Sequence, residues 1–374
     1  MTEQELRQQC HTFISGHRPH NAAEDFAAMA RWCNQHEGHQ VLHDIYGSGE
    51  LIQSFEKKVA DLLGFESALF VVSGTMAQAI ALRLACAQAD RGRRLVALHP
   101  TAHILRHESS NYQLLDHFQV LQVGSPHRPW SVDDLQAISD PLAAVLQELP
   151  MREIGGQLPA WEELEKIKAH CRARGAHLHM DGARLWESAA WYGRSHAEIA
   201  AGFDSVYVSL YKGLGGMGGA VLLGSAAFIA QAKDWAKRLG GNVIQRSPYV
   251  VAAAMQFDER LAAMPHYFQR TVWLYDVLRE FPALTVNPAK PQANMLHLYL
   301  PVAREGALAL RNELAEKHGV WLFNGANHAP LPEQSYVEWY VGDNLLDMPD
   351  QKVREVLGLF TAGLISPRPL AGEG

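Results

Sequence analysis

Lys212 and Asp181 stand where this chain could carry out covalent chemistry. Lys212 follows the β-like run Ser205–Leu210 and precedes Gly213, Gly215, Gly216, Gly218 and Gly219, glycines that let the backbone pass close to a bound group. A lysine amine in a partly desolvated site is the group that forms a Schiff base with an aldehyde, whereas an isolated lysine is usually a solvated surface charge. Some thirty residues earlier, Asp181 closes a second β-like run, Ala176–Met180, and is followed by Gly182, Ala183 and Arg184. A carboxylate there can keep a heterocyclic nitrogen protonated and turn its ring into an electron sink, but it reads equally as a surface acid in an Asp-Gly turn. A third stretch, Ser73-Gly74-Thr75, runs from a strand into a helix. Its N–H groups and hydroxyls can hold a phosphate at the positive end of the helix dipole, although taken alone the stretch reads first as an ordinary cap. The spacing Gly213, Gly215, Gly218 also satisfies G-x-G-x-x-G. That dinucleotide fingerprint requires a helix next, and here the strand-like Ala220–Gly224 follows.

Such residues need elements to hold them. Apolar positions from Leu51 to Leu63 recur at helical spacing and stop at Gly64; the strand Ser67–Val72 and the Ala/Leu-rich helix Met76–Ala87 follow. Short apolar runs then alternate with helices: Leu95–Leu98, Phe118–Val123, Ala143–Glu148, Ala176–Met180, Ser205–Leu210 and Ala220–Leu223 as strands, Asp133–Ser139, Trp161–Arg174 and Ser195–Ala201 as helices. This alternation predicts an α/β fold with a mostly parallel sheet, whose strand C-termini are the ligand-binding edge. Phe228–Leu239 and Tyr249–Phe281 read as long helices, the second able to bridge two domains. Strands Ala293–Leu300, Val320–Phe323 and Ser335–Val341 with helices Gly306–His318 and Gln351–Phe360 predict a smaller C-terminal α+β domain. The expected division is an N-terminal arm over 1–45, in which Asn21 can cap the helix Ala22–Cys33, a large domain over 46–255, a small domain over 256–365 and a disordered tail from Ser366.

Composition narrows the class. A formal charge of −7 gives no electrostatic reason to expect nucleic acid or an anionic membrane as partner. Cys10, Cys33, Cys86 and Cys171 are widely spread, with no spacing that suits a metal, and read as reduced thiols. The polar N-terminus lacks the apolar core of a signal peptide and no run is long enough to span a bilayer, so a soluble, cytoplasmic protein is expected.

Taken in order, Ser73-Gly74-Thr75, His103 in Ala102-His103-Ile104, His179-Met180-Asp181-Gly182-Ala183-Arg184 and Lys212-Gly213-Leu214-Gly215 make the chain resemble the threonine aldolase and β-eliminating lyase family. The likeness covers about residues 40–330. It implies the aspartate-aminotransferase-like fold of fold-type-I pyridoxal-phosphate enzymes, with active sites shared between subunits of a homodimer or homotetramer. By the same resemblance Lys212 would bind pyridoxal 5'-phosphate covalently and Asp181 would pair with its pyridine nitrogen. Gly74 and Thr75 would bind the phosphate, helped by Arg246 from a neighbouring subunit, and Ser73 and Ser209 would be further cofactor-binding residues. His103 would stack on the ring and take part in catalysis, and Arg184 would sit between the cofactor and the substrate carboxylate. Tyr46 is a candidate at the dimer-facing edge of the pocket and reads equally as a core residue. Ser15 and His17 are further pocket candidates.

The implied reaction cleaves a β-hydroxy-α-amino acid of the L-threonine or L-allo-threonine type to glycine and an aldehyde. Alternatives are β-elimination or another α-carbon reaction within the cofactor class; outside it stand a catalytically retired binding protein and a nicotinamide-dependent oxidoreductase. The family's Glu-Asn-Thr-His-Asn segment, whose histidine would handle the hydroxyl proton, is replaced here by Glu148-Leu149-Pro150-Met151-Arg152. Methionine cannot act as a base; Arg152 can bind an anionic substrate group, and reads equally as a solvated loop residue. The family's C-terminal arginine strand is replaced by Ser335-Tyr-Val-Glu-Trp-Tyr-Val-Gly-Asp343, without that arginine.

Overall fold

The computed structural model describes residues 2–35, 41–113 and 118–365. The tail expected from Ser366 lies outside the described residues. The chain divides into two compact units, His20–Met264 and Met1–Pro19 with Pro265–Gly374.

The first unit is built on seven strands: β1 (Ser67–Val71), β2 (Leu95–Leu98), β3 (Gln119–Gln122), β4 (Ala144–Glu148), β5 (His177–Gly182), β6 (Ser205–Ser209) and β7 (Ala220–Gly224). Their order is β1-β7-β6-β5-β4-β2-β3. The ladder is parallel from β6 through β5, β4 and β2 to β3, and β7 runs antiparallel to both β6 and β1. The β4, β6 and β7 residues are buried throughout, as strands covered on both faces must be. Helix α1 (Glu50–Leu63) precedes β1, and α2 (Gly74–Gln88) leaves it through the Ser73 turn. Ile80, Ala81 and Leu84 of α2 join Phe228, Ile229 and Ala232 of α3 (Ala226–Arg238) over Leu69, Val71 and Leu222 of the sheet.

Register decides which side chains meet at the C-terminal edge. Glu148 of β4 lies opposite Asp181 of β5, and Asp181 opposite Tyr207 of β6, so one row across three adjacent strands carries two acids and a phenol. The strand expected after the glycine run is β7, and the loop Leu210–Gly219 turns back into it.

The segment expected as one helix over Tyr249–Phe281 is two: α4 (Ser247–Ala254) and α5 (Phe257–Leu278). At the break the Gln256 N–H bonds back to Ala253 rather than four residues back. The Gln256 amide donates to the carbonyls of Ala252 at 2.9 Å and Gly215 at 2.8 Å. A polar side chain that bonds the backbone competes with the helical ladder, and here it fastens α4 to the loop after Lys212.

In the second unit an antiparallel sheet of β8 (Thr285–Asn287), β9 (Met295–Leu300), β10 (Asn327–His328) and β11 (Ser335–Tyr340) has the order β10-β11-β9-β8. Leu310 and Leu314 of helix Arg304–His318 and Val353, Leu357 and Phe360 of helix Asp350–Ile365 form its core with Leu296, Leu298 and Trp339. Thr12–Phe13 pairs in parallel with Val320–Trp321, which ties the first residues of the chain to this unit, while Asn21 and Glu24 exchange capping bonds at the start of helix Ala22–Gln35 in the other. Among the described residues no helix is long and apolar enough to cross a membrane.

Gly64 closes α1 in the left-handed region, φ 74° and ψ 30°. A Cβ there would have only the Ala197 methyl nearby, at an ordinary 3.7 Å, so its cost is conformational rather than steric. Gly64→Ala is expected to lower unfolding free energy by about 1–2 kcal/mol, read from urea denaturation, with ligand binding unaltered.

Candidate active site

A carboxylate buried at the end of a strand must be surrounded by donors, and Asp181, 2 % exposed, is. Its Oδ1 accepts from the Ala183 N–H at 3.1 Å and its Oδ2 from the Gln78 amide at 2.5 Å. Gln78 is the polar residue on the buried side of α2, one turn beyond Ser73-Gly74-Thr75. It is held in turn. Gln78 Oε1 lies 3.0 Å from His179 Nε2, His179 Nδ1 lies 2.7 Å from Ser205 Oγ, and Ser205 Oγ lies 2.7 Å from His177 Nε2. Since the Gln78 amide donates to Asp181, one assignment gives every contact a donor: His179 Nε2 donates to Gln78, Ser205 to His179, and His177 to Ser205. Burial, reinforced by His177, pushes His179 down to about 3, so the imidazole stays neutral as this chain requires.

Glu148 is the second acid of the row. Its Oε1 accepts from the Arg152 N–H at 3.0 Å, and its buried Oε2 has no hydrogen-bond partner among the described residues. Burial first, and the neighbouring Asp181 charge second, raise its pKa to about 8. Two carboxyl groups this close do not both ionise readily; Glu148 is the one that stays protonated.

Lys212 follows β6 and is half-buried. Desolvation is the main cause that lowers its amine pKa; Arg184 and Arg152 lower it further, and Asp181 and Glu148 oppose them. These five groups therefore feel one another across the ends of β4, β5 and β6. An amine of lowered pKa has more of the neutral, nucleophilic form near neutral pH.

At the head of α2, Ser73 Oγ accepts from the Met76 N–H at 3.2 Å, while the N–H groups of Gly74 and Thr75 take no partner among the described residues. A Cβ on Gly74 would overlap the hydroxyl and ring of Tyr207, so the turn needs glycine. The Thr75 carbonyl accepts from the Asn111 amide at 3.2 Å, Asn111 also donates to Glu108 at 3.0 Å, and Glu108 meets His103 Nδ1 at 2.9 Å. His103 is thereby tied to the same turn. Ser209 is fully buried and caps the Tyr211 N–H at 3.4 Å.

Other expected site residues sit differently. Arg152 donates to Glu153 at 3.2 Å and approaches His107 Nε2 at 3.4 Å. Met151 is buried. Tyr46 is exposed, which removes the core alternative, and takes φ 52°; its N–H donates to the Ile244 carbonyl at 2.8 Å. Arg246 lies beside Gly47, its N–H bonds Asp44 at 2.7 Å, and its buried Nε has no hydrogen-bond partner among the described residues. Ser15 and His17 belong to the second unit, where Ser15 Oγ accepts from the Tyr340 N–H at 3.0 Å and His17 Nδ1 meets Asp343 at 3.0 Å.

Sequence reasoning missed Gln78, Tyr207, Glu108 and the His107–Glu153 pair. Gln78 had a readable signal, an amide set among Ala77, Ala79, Ile80 and Ala81. Glu148 had another: like Asp181, it is an acid that follows an apolar run.

The donor set suits pyridoxal 5'-phosphate. It offers an amine of lowered pKa for the aldehyde, a satisfied buried carboxylate for the ring nitrogen, and unpaired N–H groups at a helix start for the phosphate.

The model of the beta-eliminating lyase family matches residues 27–300. A low-specificity L-threonine aldolase 1 of Arabidopsis thaliana is 30 % identical over 76 % of this chain and 82 % of its own length. A Listeria monocytogenes EGD-E crystal structure, provisionally assigned as an L-allo-threonine aldolase, is 36 % identical with a TM-score of 0.88, covering 96 % of this chain and 97 % of that one. Serine palmitoyltransferase of Sphingomonas wittichii shares the fold at 17 % identity and a TM-score of 0.64, over 91 % of this chain and 82 % of that one.

Glu148→Gln keeps the acceptor for the Arg152 N–H and removes the titration. With a folded pKa of about 8 against an ordinary 4.5, wild-type Glu148 binds its proton more tightly when folded, so its contribution is complete below pH 4.5 and is lost as pH rises toward 8. The stability of the unliganded variant should therefore gain on wild type with rising pH by up to about 1.4 kcal/mol per unit across that window. Urea denaturation at several pH values measures this; parallel pH profiles would contradict it.

Proposed function

Because the chain belongs to the beta-eliminating lyase family, we propose that it is a pyridoxal-phosphate-dependent aldehyde-lyase of the threonine aldolase type. Its fold is that of the fold-type-I pyridoxal-phosphate enzymes. The substrate is a β-hydroxy-α-amino acid of the L-threonine or L-allo-threonine kind, and the products are glycine and an aldehyde. The observation that carries this reading is the meeting of Lys212, Asp181 and Arg184 at the C-terminal edge of β5 and β6, beside the Ser73-Gly74-Thr75 helix start.

When bound, the cofactor supplies a protonated ring that draws electrons from the substrate α-carbon. Asp181 would pair with the ring nitrogen, and Gln78 and the Ala183 N–H orient its carboxylate for that contact. Glu148, neutral, adds no second negative charge to the row. Lys212 would hold the cofactor, and its lowered basicity suits it to give and take protons at the α-carbon. Arg184 offers a planar guanidinium to the substrate carboxylate. Gly74, Thr75 and Ser209 would hold the phosphate, and His103, fixed by Glu108, would stack on the ring.

We assign a homo-oligomer with shared sites. In its support, Leu42, Ile45, Tyr46 and Ile244 are exposed apolar side chains on two segments joined by the Tyr46–Ile244 bond, the kind of patch a second copy covers. Arg246, rooted in the same two segments, would then serve the partner's phosphate. A cytoplasmic location suits four cysteines that form no disulfide.

Incubation with L-threonine, L-allo-threonine and β-phenylserine should release aldehyde and glycine in equal amounts, and Lys212→Ala should abolish the release. Pyruvate and ammonia from serine, with no aldehyde from any β-hydroxy substrate, would mark β-elimination instead. Sedimentation should show at least a dimer, and Ile244→Glu should shift it toward monomer; a wild-type monomer with full activity would contradict shared sites.

A further inference from the structure

Aldol cleavage must remove the proton of the substrate's β-hydroxyl, and Met151, where a base is expected, is buried and cannot take it. A histidine nevertheless stands beside that segment. His107 Nε2 lies 2.7 Å from Glu153 Oε1, two residues beyond Met151, and its ring centroid is 5.1 Å from that of His103. His103 and His107 are one helical turn apart, at the two ends of the short helix His103–Arg106. Each has its own carboxylate, Glu108 for His103 and Glu153 for His107, but the two pairs are built differently.

Glu108 is buried and binds Asn111, which bonds the Thr75 carbonyl, so His103 is fixed to the phosphate turn. Glu153 lies on the loop after β4, next to Arg152, whose N–H bonds Glu148 and whose charge reaches Lys212. The His107 ring is 40 % exposed, open enough to meet a substrate. Its contact with the Glu153 carboxylate is far closer than its 3.4 Å approach to Arg152, so Nε2 carries the hydrogen and Nδ1 keeps the lone pair. Among the described residues, the groups that face the ring are Glu153 and Arg152 from the loop and His103 from the helix that His107 caps.

We propose that His107 is the base that accepts the β-hydroxyl proton, with Glu153 as its positioning residue. This rests on the aldolase reading above. The O–H bond breaks toward His107 Nδ1, the carbonyl of the aldehyde forms, and the Cα–Cβ electron pair passes to the α-carbon. One proton is then delivered to the α-carbon to complete glycine, and His107 releases its own to solvent. Substrate and products balance without an oxidant, a reductant or a second reactant.

The test uses cofactor-loaded enzyme and separates the hydroxyl step from α-carbon chemistry. Glycine has no β-hydroxyl, so its binding and the exchange of its α-proton in D2O need no such base. His107→Phe should lower kcat for cleavage of β-phenylserine and L-allo-threonine by about 10²–10⁴-fold, while glycine affinity and glycine proton exchange stay at wild-type values. Glu153→Gln, which keeps the size of the partner and loses its charge, should lower kcat for cleavage while leaving KM and glycine affinity unchanged. Wild-type kcat in His107→Phe overturns the proposal; so does loss of glycine exchange in step with cleavage, the mark of a structural role. A wild-type enzyme that releases no aldehyde from any β-hydroxy substrate overturns the aldolase reading and the His107 assignment together. An active wild type with an equally active variant overturns only the latter.

Discussion

The arrangement depends on keeping one negative charge, that of Asp181, out of water at the end of β5. An ionised carboxylate in such a place is tolerable only if its oxygens are met by donors. One donor is the backbone N–H of the turn that follows. The other is Gln78, whose amide must present its nitrogen and not its oxygen. With the amide so oriented, the chain of His179, Ser205 and His177 completes one consistent order of donors and acceptors behind it. Burial of His179 serves the same end, since a protonated ring would break the order of donors and acceptors. The fixed charge then shapes its neighbours: it adds to the burial that keeps Glu148 protonated and partly offsets the desolvation that makes Lys212 less basic.

Backbone requirements converge on the same edge. The turn into α2 passes against Tyr207, so Gly74 can carry no side chain, and Tyr207 lies in the row of Glu148 and Asp181. Gly215, at φ 73°, gives its carbonyl to Gln256 at the break between α4 and α5. The loop carrying Lys212 is therefore held from the sheet on one side and from a helix end on the other. Rigid elements support each part of the site, which suits chemistry that depends on orientation.

Much of this was legible in the sequence because it is local. Continuous apolar runs bounded by turns located all seven strands of the large sheet, and Gly64 marked the end of α1. A lysine before a glycine run and an acid after an apolar run were visible as types in positions. What was hidden depends on contacts between distant segments. The Gln78–Asp181 bond spans 103 residues, and nothing about a glutamine in an apolar helix says which acid it meets. His107 and Glu153 are 46 residues apart and face each other only because their loops follow nearby strands. The break at Gln256 escaped periodicity because apolar spacing continues across it; its cause is a side-chain bond to Gly215, 41 residues back. The pairing of Thr12–Phe13 with Val320–Trp321 was invisible for the same reason.

The central claim is that Lys212 holds an aldehyde cofactor beside Asp181. Reduction of the purified protein with borohydride after incubation with pyridoxal phosphate, followed by proteolysis and mass spectrometry, tests it directly. The account predicts a single stable pyridoxyl adduct on the peptide that contains Lys212. An adduct on another lysine, or a protein that binds pyridoxal phosphate and yields no adduct at all, would contradict it.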